Sequence, residues 1–413
     1  MTTLLRTLAF LACLPCVQAA PLSGTKSVGP SGDYASLTAA IVDVQAQTLS
    51  GPLVLELQPT YLSSVETFPL TFSNLTTTAT NTLTVRPQTG ATNLLITSAN
   101  ITAATVDLNG AQFLTIDGRP GGVGTHVGSG GGPASQLTIE NTNTSGVALR
   151  FINEASGNSL QYTTLRGVNT SATGGTVVFG TTTGANGNDS NTLDHCDLGD
   201  GASTPRNGLY ALGSIGTAAQ SNSSNTVSNC NVFNFVAANG VDAAGGLLDV
   251  GNTDWNLTSN SFYQTATRTA VAANVRAIYI NNPSGNNFTV TGNFIGGSAA
   301  NAGGTAWTTT GTSAGCRFQG IRLNVGTTTP SSAQGNTLAN IIWTGNENAT
   351  APPGVWSGIY VQAGSVDIGA VSGNTIGSGT GTGSISVTTS GTGGTVWTDE
   401  TGNRLTWHMG YSC

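Results

Sequence analysis

The feature that most constrains the fold of this chain is a recurring pattern of very short apolar segments. From about residue 53 onward, brief runs of apolar and β-branched residues alternate with Gly, Asn, Ser and Thr. Such alternation places every second side chain on one face, which is typical of strands rather than helices. The sequence therefore predicts an all-β chain of short strands, for example Leu83-Thr84-Val85, Leu137-Thr138-Ile139 and Ile278-Tyr279-Ile280.

A longer repeat is superimposed on this pattern in the middle of the chain. The segment Asn191-Thr192-Leu193-Asp194-His195-Cys196 matches the segment at 225–230, which reads Asn-Thr-Val-Ser-Asn-Cys. Segments 256–260 and 288–293 continue the pattern, and degenerate copies follow near 335 and 373. A period of roughly 20–35 residues with short strands and polar turns indicates a solenoid.

Composition selects one type of solenoid. Charged residues make up 8% of the chain and 57 of its 413 residues are Gly, which argues against helical repeats. A leucine ladder is also missing, which excludes leucine-rich repeats. The prediction is a right-handed parallel β-helix with three short strands per coil and Asn residues stacked in the turns. Cys196 and Cys230 then lie about 4.8 Å apart in neighbouring coils, where they form a disulfide or, as we prefer, stack as small apolar residues.

The two ends of a solenoid need protection, since an exposed coil offers unpaired backbone groups to other chains. Residues 20–52 are predicted to form an N-terminal cap. Within it, Ser36 caps an amphipathic helix whose apolar residues recur every three to four positions. The β-helix is predicted over 53–395, and 396–413 are interpreted as a C-terminal covering segment.

The first 19 residues read as a secretory signal peptide. Arg6 precedes an apolar core at 8–17, and a small-x-small pattern ends at Ala19. We therefore expect a secreted or cell-surface protein whose mature chain has no apolar segment long enough for a transmembrane helix. The net charge of −7, from 19 acidic and 12 basic residues, includes no basic patch for nucleic acid.

Several motifs resemble those of a known family. The run Gly-Asp-Tyr-x-Ser-Leu-x-x-Ala-Ile at 32–41 resembles the opening segment of pectin-lyase-like β-helix proteins. More specifically, the chain from about residue 26 to 395 resembles the β-helix region of large secreted Bacteroidetes-type surface proteins. The segments 27–34, 336–340 and 354–361 carry that likeness. The resemblance implies an extracellular β-helix and specifies no activity.

The best catalytic candidates are the cluster of Asp194, His195, Asp197 and Asp200, followed by Arg206. Glycoside hydrolysis needs paired carboxylates, whereas elimination from uronic acids needs an Arg or Lys base and commonly acidic ligands for Ca²⁺. Residues 194–206 contain groups for either reaction, although Asp and Asn are also the usual turn residues of a solenoid. The sequence Asp117-Gly118-Arg119-Pro120 is interpreted as a turn. No His or Cys spacing indicates a metal site.

Aromatic residues provide a second set of candidates. Sugar rings stack on aromatic faces, so a row of exposed rings would bind a glycan. The alternative is that the indoles fill coil interiors or cover the C-terminal end. All six Trp lie between 255 and 407, and the predicted ligand-binding residues are Trp255, Trp307, Trp343, Trp356 and Tyr360.

Taken together, these observations favour a non-catalytic extracellular protein with a structural or polysaccharide-binding, adhesin-like role and no cofactor. One alternative is a carbohydrate-active enzyme, a glycoside hydrolase or a polysaccharide lyase, that uses the Asp cluster at 194–200, with Ca²⁺ as the candidate cofactor in the lyase case. A second alternative is a protein that self-associates through its terminal coils into an extracellular assembly.

Overall fold

The chain folds as a right-handed parallel β-helix, in agreement with the prediction. This architecture is seen in a computed structural model that describes residues 21–124, 135–236, 243–271, 273–312, 316–345, 354–378 and 384–389. Three long parallel sheets run along the solenoid, and each coil adds one strand to each sheet. The predicted signal peptide at 1–19 and the covering segment at 396–413 lie outside the described residues.

The strands of the three sheets follow one another in chain order within each coil. In the first sheet the strands are Leu22–Val28, Leu49–Leu57, Leu83–Pro87, Leu114–Asp117, Ser159–Gln161, Thr192–Asp194, Thr226–Ser228, Asn256–Thr258, Thr289–Thr291, Ser331–Gln334 and Val366–Ile368. In the second sheet they are Leu94–Ser98, Leu137–Asn141, Thr164–Gly167, Asp197–Asp200, Asn231–Phe233, Ser261–Tyr263, Phe294–Ile295, Thr337–Leu338 and Thr375–Ile376. In the third sheet they are Leu70–Phe72, Ala104–Asn109, Val147–Ile152, Val177–Phe179, Asn207–Ala211, Ala243–Leu248, Asn274–Asn281, Arg317–Asn324 and Trp356–Ala363.

Smaller elements complete the described part of the fold. A fourth parallel sheet is inserted between the second and third sheets in the later coils, and a two-stranded ladder lies in earlier turns. The strands of the fourth sheet are Arg268–Ala270, Trp307–Gly311, Ile341–Gly345 and Ile385–Thr389, and those of the ladder are Asn222–Ser223 and Asn252–Thr253. Short 3₁₀ helices occupy Ser63–Val65, Pro120–Gly122 and Ala218–Gln220.

The register between coils explains the sequence repeat. Leu193 pairs with Val227, and Val227 pairs with Leu257, so equivalent apolar residues stack in the interior. All three are buried. Their outward neighbours in each strand remain partly exposed. The alternating pattern in the sequence therefore separates one continuous core from an outer surface on which functional side chains can be displayed.

Buried Asn side chains connect successive coils at the turns, as predicted. The Asn158 side-chain amide donates to Asn191 Oδ1 at 2.9 Å, and Asn191 donates to Asn225 Oδ1 at 3.1 Å. A second ladder passes through Asn260, Asn293, Asn336 and Asn374. Each Oδ1 also accepts from the backbone N–H of the preceding coil, which satisfies polar groups that would otherwise be costly to bury.

Cys196 and Cys230 occupy the start of that second ladder as free thiols. The Cys196 backbone N–H donates to Cys230 Sγ at 3.4 Å, and the Cys230 N–H donates to Asn260 Oδ1 at 3.0 Å. Both cysteines are buried and neither is disulfide-bonded, and burial raises the pKa of the Cys230 thiol. The structure thus shows the stacking that we preferred and not the alternative of a disulfide, and the small thiols replace Asn in the ladder.

The N-terminal helix lies where the sequence predicts it. It spans Leu37–Ala46 and buries Leu37, Ala40, Ile41 and Val44, while Ser36 Oγ accepts from the Ala39 N–H. Glu66 also accepts hydrogen bonds from the first turn of the helix. Two strands of the first sheet, Leu22–Val28 and Leu49–Leu57, flank this helix within the segment predicted as the cap. No helix within the described ranges is long and apolar enough to cross a membrane.

Candidate functional site

The structure separates four of the predicted catalytic residues. Asp194 ends a strand of the first sheet, while Asp197 and Asp200 lie in the next strand, which belongs to the second sheet. Arg206 precedes the following strand of the third sheet. The chain changes direction at His195 and Cys196, so side chains that are close in sequence point from different sides of the solenoid. A single catalytic group made of all four residues is therefore not formed.

Asp194 is the centre of a dense hydrogen-bond network on the outer face of the first sheet. Its Oδ1 accepts from Ser228 Oγ at 2.7 Å and from Asn229 Nδ2 at 2.9 Å. Its Oδ2 lies 2.7 Å from His195 Nδ1. Burial raises the pKa of Asp194, but the hydrogen bonds from Asn229, Ser228 and His195 outweigh that effect, and the pKa lies below its usual value. Asp194 is thus an ionised acceptor at neutral pH.

His195 is held between Asp194 and an aromatic neighbour. Its ring stacks on the Tyr162 ring of the preceding coil, with centroids 4.8 Å apart and planes inclined by 16°. Tyr162 also contacts Arg119, whose guanidinium carbon lies 4.1 Å from the centroid of the Tyr162 ring. Because an ionised carboxylate only accepts, the hydrogen of this pair lies on His195 Nδ1, which orients the imidazole.

Asp117 and Gln161 extend the network along the first sheet. Asp117 pairs with Gln161, and Gln161 pairs with Asp194, in register across three coils. The Arg119 guanidinium contacts both carboxylate oxygens of Asp117, with Nη2 2.8 Å from Oδ2, and Gln161 Nε2 donates to the same oxygen at 3.1 Å. Since strands are about 4.8 Å apart, the backbones of Asp117 and Asp194 are separated by roughly 10 Å.

The backbone at the two stacked rings is strained. Tyr162 and His195 have φ angles of 50° and 53°. In this left-handed region a bulky side chain costs on the order of 1–2 kcal/mol. In later coils the equivalent turn position is occupied by Asn229 and by Gly292, which tolerate the conformation. The cluster of Asp117, Arg119, Gln161, Tyr162, Asp194 and His195, here called the first-sheet cluster, therefore retains two rings where the fold prefers smaller residues.

The second-sheet aspartates lie in a different network. Asp197 Oδ1 accepts from Asn231 Nδ2 at 2.7 Å, and Asp200 Oδ1 accepts from Asn234 Nδ2 at 2.9 Å. Asn234 Oδ1 in turn accepts from Arg268 Nη2 at 2.6 Å. Burial lowers the pKa of the Arg268 guanidinium, although the charge of Asp200 acts in the opposite direction. These contacts join neighbouring coils and give Asp197 and Asp200 a structural role in the turns.

The predicted indole platform is wrong. Trp255, Trp307 and Trp343 are 0% exposed and Trp356 is 5% exposed, so a sugar ring cannot reach their faces. Trp307 makes edge contacts with Phe235 and Phe318 in the interior. Trp307 and Trp343 lie in strands of the fourth sheet with their side chains in the interior, and Trp255 makes an edge contact with Phe179 of an earlier coil. Tyr360 differs from the four indoles, because it is partly exposed on the third sheet.

Sequence reasoning placed His195 beside Asp194 among the candidates but missed the other members of the cluster. It interpreted 117–120 as a turn, and Tyr162 was not named as a candidate. The register between coils, which aligns Asp117, Gln161 and Asp194, could have identified these neighbours. To derive that register from the sequence, the exact length of every turn must be known. In the described part of the chain, no three or more His, Cys, Asp or Glu side chains are grouped to hold a metal ion. We therefore assign no metal ligand.

Comparison with known proteins gives likeness at the level of the fold. No family model and no curated protein matches the chain. Among solved structures, the GH136 lacto-N-biosidase from Eubacterium ramulus is similar with a TM-score of 0.38 and 10% identity, over 83% of this chain and 67% of that one. The catalytic domain of Agl-KA is similar with a TM-score of 0.32 and 14% identity, over 86% and 64% of the two chains.

The comparisons do not support the expectation of a non-catalytic structural or adhesin-like protein, since a lacto-N-biosidase is among the similar structures. The low identity and TM-scores describe a shared β-helix and transfer no substrate or residue role to this chain. The argument for catalysis therefore rests on the first-sheet cluster.

Proposed function

We propose that this protein is a carbohydrate-active enzyme that cleaves a glycosidic bond at the first-sheet cluster. The observation that supports it is the 2.7 Å contact between Asp194 Oδ2 and His195 Nδ1 on the outer face of the solenoid. The two side chains are 28% and 22% exposed, so the pair is partly shielded from water yet open to a ligand.

The pair has the properties of a proton-transfer group. Asp194 holds the imidazole in one orientation and stabilises the positive charge when the ring takes up a second proton at Nε2. His195 then donates that proton to the leaving glycosidic oxygen as the C–O bond breaks. In hydrolysis, water supplies the hydroxyl that joins the anomeric carbon and the proton that restores the ring. Arg119 and Gln161 line the same face with hydrogen-bond donors for sugar hydroxyl oxygens.

The test is cleavage of a panel of neutral and acidic polysaccharides by the purified protein. We expect new reducing ends from the wild type, and about 10²-fold slower cleavage by His195→Gln and Asp194→Asn, because general acid catalysis is lost. The ultraviolet absorbance of the products distinguishes hydrolysis from elimination, since only elimination from a uronate leaves an unsaturated sugar.

Asp254→Asn is the matched control. Asp254 lies at a left-handed turn position itself, with a φ of 57°. It accepts from the Asn287 side chain of the next coil at 2.8 Å and from a hydroxyl, Thr253 Oγ1, at 2.9 Å. None of its hydrogen bonds in the described region involves an imidazole. We expect unchanged activity in this variant. Equal activity of Asp194→Asn and wild type, or equal losses in Asp194→Asn and Asp254→Asn, would show that the first-sheet cluster is not catalytic.

We further propose that the enzyme acts outside the cytoplasm, on polysaccharide of the surroundings or of a cell surface. The signal-like segment at 1–19 and the pectin-lyase-like motif at 32–41 support this location. When the full chain is expressed in a secreting bacterial host, the exported protein is expected to begin at Ala20. Its intact mass checks the prediction, and retention of 1–19 in the exported chain would contradict it.

A further inference from the structure

The outer face of the third sheet carries a continuous column of side chains in register. From one end of the solenoid to the other, its members are Asp107, Arg150, Val178, Tyr210, Leu247, Tyr279, Arg322 and Tyr360. Near the first end, Arg150 Nε lies 2.7 Å from Asp107 Oδ1 and is neutralised by that carboxylate. At the other end, Arg322 lies between two tyrosines.

The contacts of Arg322 are neutral. Its guanidinium carbon is 4.7 Å from the Tyr279 centroid and 5.8 Å from the Tyr360 centroid. Its Nε and Nη2 both donate to Gln362 Oε1, at 3.1 and 2.5 Å, and its Nη1 donates to Gln319 Oε1 at 3.4 Å. Within the ranges that the structure covers, the ion pairs use other residues, and Arg322 is in none of them.

A second guanidinium converges on the same groups. Arg276 is buried, with its Nε donating to Gln319 Oε1 at 2.8 Å and its guanidinium carbon 4.4 Å from the Tyr279 centroid. Two cations thus share one amide oxygen and one aromatic ring. The protein as a whole has a net charge of −7, so this surface differs in sign from its average.

We infer that Arg276, Tyr279, Gln319, Arg322, Tyr360 and Gln362 form a binding site for a carboxylated sugar of an acidic polysaccharide. The Nε and Nη2 edge of Arg322, which donates to the exposed Gln362 side chain in this structure, fits the two oxygens of a hexuronate carboxylate that takes the place of that amide. The partly exposed Tyr279 and Tyr360 rings offer apolar faces to the pyranose rings on either side. The site lies on a different sheet from the first-sheet cluster, and the inference does not depend on catalysis there.

The test is isothermal titration calorimetry with trigalacturonate, using maltotriose as the neutral probe. Binding of trigalacturonate is expected to be at least tenfold tighter than binding of maltotriose. Arg322→Gln is expected to weaken trigalacturonate binding by at least tenfold and to leave the maltotriose signal unchanged. Far-UV circular dichroism verifies that the variant keeps its β-helix, which is expected because Arg322 is only half-buried.

Arg166→Gln is the charge-matched control. Arg166 is exposed on the second sheet and its removal changes the net charge equally. Equal losses of affinity in the two variants would show a diffuse charge effect and overturn the inference, as would equal affinity for the two trisaccharides. The measurement is repeated in Asp194→Asn. We expect Asp194→Asn to bind trigalacturonate as tightly as the wild type, even if it no longer cleaves polysaccharide. The binding site on the third sheet and the proposed enzyme activity are therefore tested separately.

Discussion

Replacing Trp307 with Ala is expected to lower the free energy of unfolding by about 3–5 kcal/mol, the usual cost of removing a buried indole. Trp307 is fully buried, and its ring lies 5.6 Å from Phe235 and 5.3 Å from Phe318 in edge contacts. Its Nε1 donates to the buried Thr309 Oγ1 at 2.9 Å. The substitution leaves a cavity and also removes the hydrogen-bond partner of that hydroxyl.

Urea unfolding followed by far-UV circular dichroism measures the change. Ile215→Ala is the control, because Ile215 is 77% exposed and its loss is expected to cost less than about 0.5 kcal/mol. A comparable, small change in both variants would contradict the placement of Trp307 in the interior. It would instead restore the hypothesis that the indoles lie on the surface and bind a glycan.

Replacing Asn293 with Ala is expected to cost on the order of 4 kcal/mol, because several buried polar groups lose partners at once. Asn293 Oδ1 accepts from the backbone N–H and the side-chain amide of Asn260 at 3.0 and 3.1 Å. Its own amide donates to Leu257 O at 2.8 Å and to Asn336 Oδ1 at 3.0 Å. Water cannot replace these contacts, since Asn260, Asn293 and Asn336 are all 0% exposed.

Asn281→Ala provides the comparison for this ladder. Asn281 donates to Asp249 Oδ1 at 3.1 Å and accepts from Asn324 at 3.1 Å, but it is only partly buried. Water can satisfy the groups that it leaves, so we expect a loss of less than about 1 kcal/mol by the same urea measurement. Similar losses in both variants would show that the buried position of the ladder does not determine its contribution.

The candidate site was only partly accessible from the sequence. Asp194 was identified because it lies in a conspicuous acidic segment, yet Asp197 and Asp200, its neighbours in sequence, belong to another sheet. The groups that actually flank the Asp194–His195 pair come from preceding coils, Tyr162 by ring stacking and Gln161 by strand pairing. Turns of unequal length separate these coils, so sequence distance does not report which side chains meet.

The position of the aromatic residues was also not determined by the sequence. Their concentration after residue 255 is visible in the sequence, and both a surface row and an interior filling were consistent with it. The tertiary structure decided between them: Trp307 and Trp343 are buried in strands of the inserted fourth sheet, and Trp255 and Trp356 pack on Phe179 and Phe318. A strand pattern alone does not show that an additional strand has joined a coil.

By itself, the sequence determined the β-helix, its stacked Asn turns and its N-terminal helix. These features depend on periodicity, on turn residues and on capping, which are local properties of neighbouring residues. Only the tertiary structure decided that Trp255, Trp307, Trp343 and Trp356 are internal, that Cys196 and Cys230 remain thiols, and that Asp194 joins His195 and Tyr162 on one face. Those outcomes depend on the register between coils, which is set by the packing of the whole solenoid.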